Sequence, residues 1–72
     1  MSKSKEKLTA IAKNIRKYRE RKGISQDKLS KLAEVSFNTI TKIEAGNTVN
    51  PTVVTVRKIS EALGVTIDVL LK

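Results

Sequence analysis

From Leu8 the apolar residues fall at Leu8, Ile11, Ala12, Ile15 and Tyr18, the i, i+3, i+4, i+7 spacing of an amphipathic helix. Lys13, Arg16, Lys17, Arg21 and Lys22 fill its other faces. Gly23 ends it, with basic residues in the last turn where the helix dipole favours them. The polar, Lys-rich residues 1–7 read as a basic N-terminal arm ahead of one domain over residues 8–72. Ser25 is positioned to cap a short helix over 26–33, with Leu29, Leu32 and Ala33 apolar. Ser36 caps the next, 37–45, with Ile40 and Ile43 on its buried side and Gly46 as its stop. Asn47 to Pro51 has the composition of a loop. Thr52 then caps a helix over 53–63, striped by Val53, Val56, Ile59, Ala62 and Leu63. The β-branched run Val53–Val56 also suits a strand, but the stripe continues smoothly to a stop at Gly64. Thr66 caps a last short helix over 67–71. The pattern predicts an all-α fold of five helices, with short connections and no internal repeat, packed on one shared core.

A chain of 72 residues allows one small domain and makes a deep catalytic pocket improbable. It has no Cys and no His. That excludes thiol chemistry, disulfides, His-based acid/base catalysis and ordinary zinc sites. No nucleophile–base pair, metal-ligand cluster or phosphate-cradling glycine loop is present, so we expect no enzyme, no cofactor and no metal. No purely apolar run, Val69–Leu71 included, exceeds three residues, too short to span a membrane, and the first residues lack the apolar core of a signal peptide. The expectation is a cytoplasmic protein. The net charge is +8, and +7 of it lies in residues 1–22. A small basic domain without catalytic groups points to nucleic acid.

The segment Ser25–Gly46, SQDKLSKLAEVSFNTITKIEAG, carries the most information. Its two helices are joined by a turn too short for antiparallel packing, so they cross steeply. With Ile40 and Ile43 on the domain, Asn38, Thr39, Thr41 and Lys42 point outward. That face is short, nearly uncharged and rich in hydrogen-bonding groups, which suits the donors and acceptors on the floor of the DNA major groove.

These residues resemble the phage repressor and Cro-like (Xre-type) helix-turn-helix family. The matching stretches are IRKYRERKGISQDKL, VSFNTITKIEAG and NPTVVTVRKISEALGVTIDVLL, within a resemblance that covers residues 11 to 71. The resemblance implies a compact five-helix, lambda-repressor-like domain whose third helix reads the major groove while the second lies over the backbone. It implies base contacts from Phe37, Asn38 and Lys42, with Thr41 beside them. Asn38 suits adenine, Lys42 suits guanine, and Phe37 either covers a thymine methyl or packs on the domain. Gln26 matches a residue that binds phosphate and can brace a side chain at the start of the third helix, with Ser25, Ser36 and Thr39 as further backbone contacts. Arg19 and Glu44 match a linking ion pair between the first and third helices, and Arg19 can add a phosphate contact. Asn47, Thr48 and Asn50 match a loop that follows the backbone, or they serve ordinary turn chemistry.

The chain departs from the family pattern at three positions. Glu34 stands where relatives usually have Gly, so either a left-handed backbone is kept there at a cost of about 1 kcal/mol or the turn differs slightly. Ser30 replaces a small Ala at the helix crossing, and Thr52 replaces a basic residue of some repressors.

The resulting expectation is a sequence-specific transcriptional regulator binding double-stranded DNA, as a homodimer on a palindromic operator, without a small-molecule effector. Val69 and Leu71 face outward from the last helix and supply the dimer contact, while Ile67 and Leu70 face the core. The competing expectation is a protein-interaction module, an antitoxin or coactivator-like adaptor on the same fold. The polar outward face of residues 37–45 and the basic first helix favour DNA.

Overall fold

A computed structural model describes residues 3–47 and 51–72, with side chains from Ala10 onward. It contains α1 (Lys3–Lys22), α2 (Gln26–Ala33), α3 (Phe37–Glu44), α4 (Val53–Leu63) and α5 (Ile67–Leu71), and no strand among the described residues. The β-branched start of α4 is therefore helical. Ser25, Ser36, Thr52 and Thr66 all sit in extended backbone, and each accepts a bond on its side chain from the amide three residues on.

The first helix departs from expectation. It begins at Lys3 rather than Leu8, so residues 3–7 continue α1 instead of forming an irregular arm. Lys and Glu are good helix formers, and an established helix extends at one hydrogen bond per residue fixed. The apolar stripe marks where α1 is buried, not where it begins.

The core has one centre. Its largest fully buried side chains are Ile15, Leu29, Ile40, Ile59 and Leu70, one from each helix. Ile11, Ala33, Ile43, Val56 and Leu63 complete the cluster, and Tyr18, Ile24, Val35, Ala62, Val65 and Ile67 pack on its edge. Two residues read as part of the buried stripes stand outside it: Val53 is 75% exposed and Leu32 is 46% exposed. Val53 opens α4 and precedes the turn that reaches the core.

Four helix ends close in the same way. The amide that follows the left-handed residue donates back to a carbonyl five residues earlier: Ile24 to Arg19 at 3.3 Å, Val35 to Ser30 at 3.0 Å, Asn47 to Lys42 at 2.9 Å and Val65 to Ser60 at 3.0 Å. Two of these ends are also alike in sequence. Leu29-Ser30 leads through Glu34-Val35-Ser36 into α3, and Ile59-Ser60 leads through Gly64-Val65-Thr66 into α5. Each serine is buried and donates to its own helix, Ser30 to the Asp27 carbonyl at 2.6 Å and Ser60 to the Arg57 carbonyl at 2.7 Å. That bond lets a hydroxyl lie inside a helix crossing without stranding a donor. At the pivot, Gly64 has φ 73° and Glu34 has φ 58°, both left-handed. Glu34 is the one non-glycine residue with positive φ among the described residues, and its turn keeps the geometry glycine would give.

Asn14 supplies a contact that the apolar pattern did not foretell. Its Nδ2 donates to the backbone carbonyls of Leu70 at 2.8 Å and Val69 at 3.3 Å. Five residues are too few to hold a helix alone, so α5 depends on Leu70 in the core and on this amide against α1.

Candidate nucleic-acid interface

The outward face of α3 follows from its two ends. At the start, Ser36 Oγ accepts from the Thr39 amide at 3.0 Å and shares a 2.7 Å hydrogen bond with Thr39 Oγ1. Ile40 and Ile43 are buried beneath. Helical geometry then puts positions 37, 38, 41 and 42 in one stripe on the opposite side. Phe37 is 50% exposed, so the packing alternative for its ring gives way to display at the surface. Asn38 and Lys42 are exposed, and Thr41 is half-buried with Oγ1 donating to the Asn38 carbonyl at 2.9 Å. Thr39 stands round the helix from this stripe, half-buried in the cap.

The far end of α3 is fixed by Glu44, whose side chain is 1% exposed. Arg19 meets it side-on, Nε to Oε2 at 2.7 Å and Nη2 to Oε1 at 3.2 Å. Arg19 Nη1 donates to the Ile24 carbonyl at 2.8 Å. Gln26 Nε2 donates to Glu44 Oε1 at 3.0 Å. One buried carboxylate thus joins α1, α2 and α3, with both oxygens occupied. A buried charge is tolerable under those conditions, because opposite charge and hydrogen bonds replace its lost hydration.

The other expected contact residues are spread around this frame. Ser25 is exposed, with Oγ accepting from the Lys28 amide at 3.0 Å. Gln26 is half-buried, and its side chain bonds Glu44 at the end of the third helix instead of bracing a side chain at the start. Arg19 has three groups engaged and a side chain 13% exposed, which leaves it little room for a phosphate. Asn47 is exposed. Thr48 and Asn50 lie outside the described residues. On α5, Val69 is half-buried and Leu71 is 43% exposed.

One exposed cation at this frame was not singled out from sequence. Arg16 Nε lies 3.9 Å from Glu44 Oε1, with its side chain 61% exposed. Its spacing from Arg19, one turn earlier on α1, is the signal that could have found it. On another side of α1, Lys17 Nζ and Arg21 Cζ stand 5.5 Å and 5.3 Å from the Tyr18 ring centre, within cation–π range. Among the described residues no helix is long and apolar enough to cross a membrane.

The family model described as "Helix-turn-helix" matches residues 15–70. The chain belongs to the phage repressor and Cro-like helix-turn-helix family. Membership places this helix-turn-helix protein among DNA-binding transcriptional regulators. Among solved structures it is similar to a hypothetical transcription factor, NHTF, from Neisseria. The TM-score is 0.89 at 26% identity, over 96% of this helix-turn-helix chain and 78% of that one. No curated protein matches it.

Proposed function

We propose that this protein is a sequence-specific transcriptional regulator that binds a palindromic operator as a homodimer, with α3 in the major groove. The stripe of Phe37, Asn38, Thr41 and Lys42 carries the reading: it is displayed on a helix held at both ends. Asn38 pairs with an adenine edge, Lys42 donates to guanine, Phe37 covers a thymine methyl, and Thr41 adds a hydroxyl and methyl between them. The N-terminus of α2 lies on the backbone, with Ser25 and Gln26 toward phosphate, and Ser36, Thr39 and Asn47 add to that contact, while Arg19 serves the frame. The dimer forms through the edge of Val69 and Leu71 on α5, each edge meeting its symmetry mate. So small an apolar patch gives a weak dimer that DNA completes by holding both halves in register. The likeness to a protein titled a transcription factor supports the regulatory reading.

Selection of bound duplexes from a random pool tests it. The expected product is a two-fold symmetric sequence with half-sites about one helical turn apart. If each half-site neutralises about three phosphates, log K falls with log salt at a slope of about −5. Enrichment of no sequence, or binding indifferent to salt, overturns the proposal.

A further inference from the structure

Arg16 and Lys13 stand one turn apart on α1, and together they line an open hollow at the end of α3 with Ala12, Glu44, Ala45 and Gly46. Both cations are exposed. At 3.9 Å, Arg16 is too far from Glu44 for a hydrogen bond, and its guanidinium engages no hydrogen-bond acceptor among the described residues. The carboxylate in the hollow is already answered, since Arg19 neutralises it and Arg19 and Gln26 occupy its oxygens. Arg16 and Lys13 are therefore surplus positive charge held beside a saturated ion pair. The small side chains of Ala12 and Ala45, and Gly46 with none, leave the space open in front of them.

We infer that this seam between α1 and α3 is an anion site that takes a phosphate of the DNA backbone, with Arg16 as the fork and Lys13 as the second charge. The inference rests on the proposed DNA-binding function and deepens it by naming a contact on α1. Two observations favour a duplex backbone. Gln26 and Arg16 approach the same oxygen of Glu44 from different helices, so the seam is continuous with the N-terminus of α2 that the proposal lays on the backbone. The hollow also reaches Gly46, directly before Asn47 on the other flank of the proposed contact surface. The contact that the family resemblance assigns to Arg19 thereby falls to Arg16, while Arg19 holds the frame.

The test uses a duplex selected by the wild-type protein, with neutral methylphosphonate placed at each backbone position of one half-site in turn. One position should weaken wild type about tenfold, the size expected for losing a charge-assisted contact. At that position the Lys13→Ala/Arg16→Ala variant should lose nothing further. The variant's salt slope should be shallower by about 0.9 for each phosphate released. Arg21→Ala is the control, because it removes one charge from α1 about 140° around the helix from Arg16. It should bind with an unchanged methylphosphonate profile. The inference is overturned if every sensitive position weakens wild type and the double variant equally, or if Arg21→Ala alters the profile as the double variant does. Thermal melting of each variant reports folding, and a double variant that melts like wild type yet keeps the whole profile also overturns it. Wild type that enriches no duplex overturns the regulator reading, and this inference with it.

Discussion

Gln26 Nε2 donates to Glu44 Oε1 at 3.0 Å, so the first residue of α2 is bonded to the last residue of α3. The helix-turn-helix is closed into a triangle by this bond: the turn at Glu34 joins one pair of helix ends, and Gln26 and Glu44 join the opposite pair. Arg19 fixes the triangle to α1 through the same carboxylate.

Removing one member of the buried pair should cost more than removing any exposed charge. Glu44→Ala leaves Arg19 facing an apolar hole, and Arg19→Ala leaves Glu44 uncompensated. Each should lose about 3–5 kcal/mol of stability, read from urea unfolding. Loss of under about 1 kcal/mol in both would mean that this carboxylate is not anchoring the three helices.

Glu34→Gly should stabilise the domain by about 1 kcal/mol, because a left-handed residue with a Cβ is replaced by one without. Gly64→Ala, at the matching corner, should destabilise by about as much. Nothing lies within 4 Å of a Cβ placed on Gly64, so backbone strain alone is being measured. Paired thermal melts decide this, and opposite signs are the expected result.

Asn38→Ala and Lys42→Ala should each relax preference at particular base pairs and cost about 1–3 kcal/mol on the best site. Gln26→Ala should weaken good and poor sites about equally, with some loss of stability because Glu44 Oε1 loses a donor. Competition binding against single-base variants of the selected site separates the two behaviours. Uniform weakening by all three would remove α3 from its assigned role.

Val69→Lys should abolish self-association with little effect on folding, since Val69 is only half-buried. Sedimentation of wild type and variant, with binding to a full palindrome and a single half-site, measures it. A wild type that is monomeric at high concentration, and gains nothing from a second half-site, refutes the α5 interface.

Asn14→Leu should loosen α5, whose carbonyls it would no longer hold, and amide exchange in Val69–Leu71 should accelerate before exchange in α2 or α3 does. Equal protection throughout would place the anchoring of α5 entirely on Leu70.

Much of this was legible along the chain because the signals were local. Ser or Thr caps, glycine stops and the apolar stripes set four helices to within a residue, and Ile67 and Leu70 turned inward as their spacing indicated. The stripe failed where burial and helicity part company: residues 3–7 are helical outside the stripe, and Val53 belongs to the pattern but not to the core. The Arg19–Glu44 pair came from the family resemblance, across 25 positions. Asn14 and Arg16 were missed because a lone amide and one basic residue among many carry no periodic signal. Only the approach of a second helix gives them a meaning.

The two sides of α3 have separate duties. Ile40 and Ile43 answer to the core, Ser36 and Glu44 answer to the ends, and the exposed positions 37, 38 and 42 answer to neither. Those three positions can be rewritten without asking anything new of the scaffold. Under the proposed function, target choice can thus drift under selection while folding stays constant, and a duplicated copy acquires a new operator in a few substitutions.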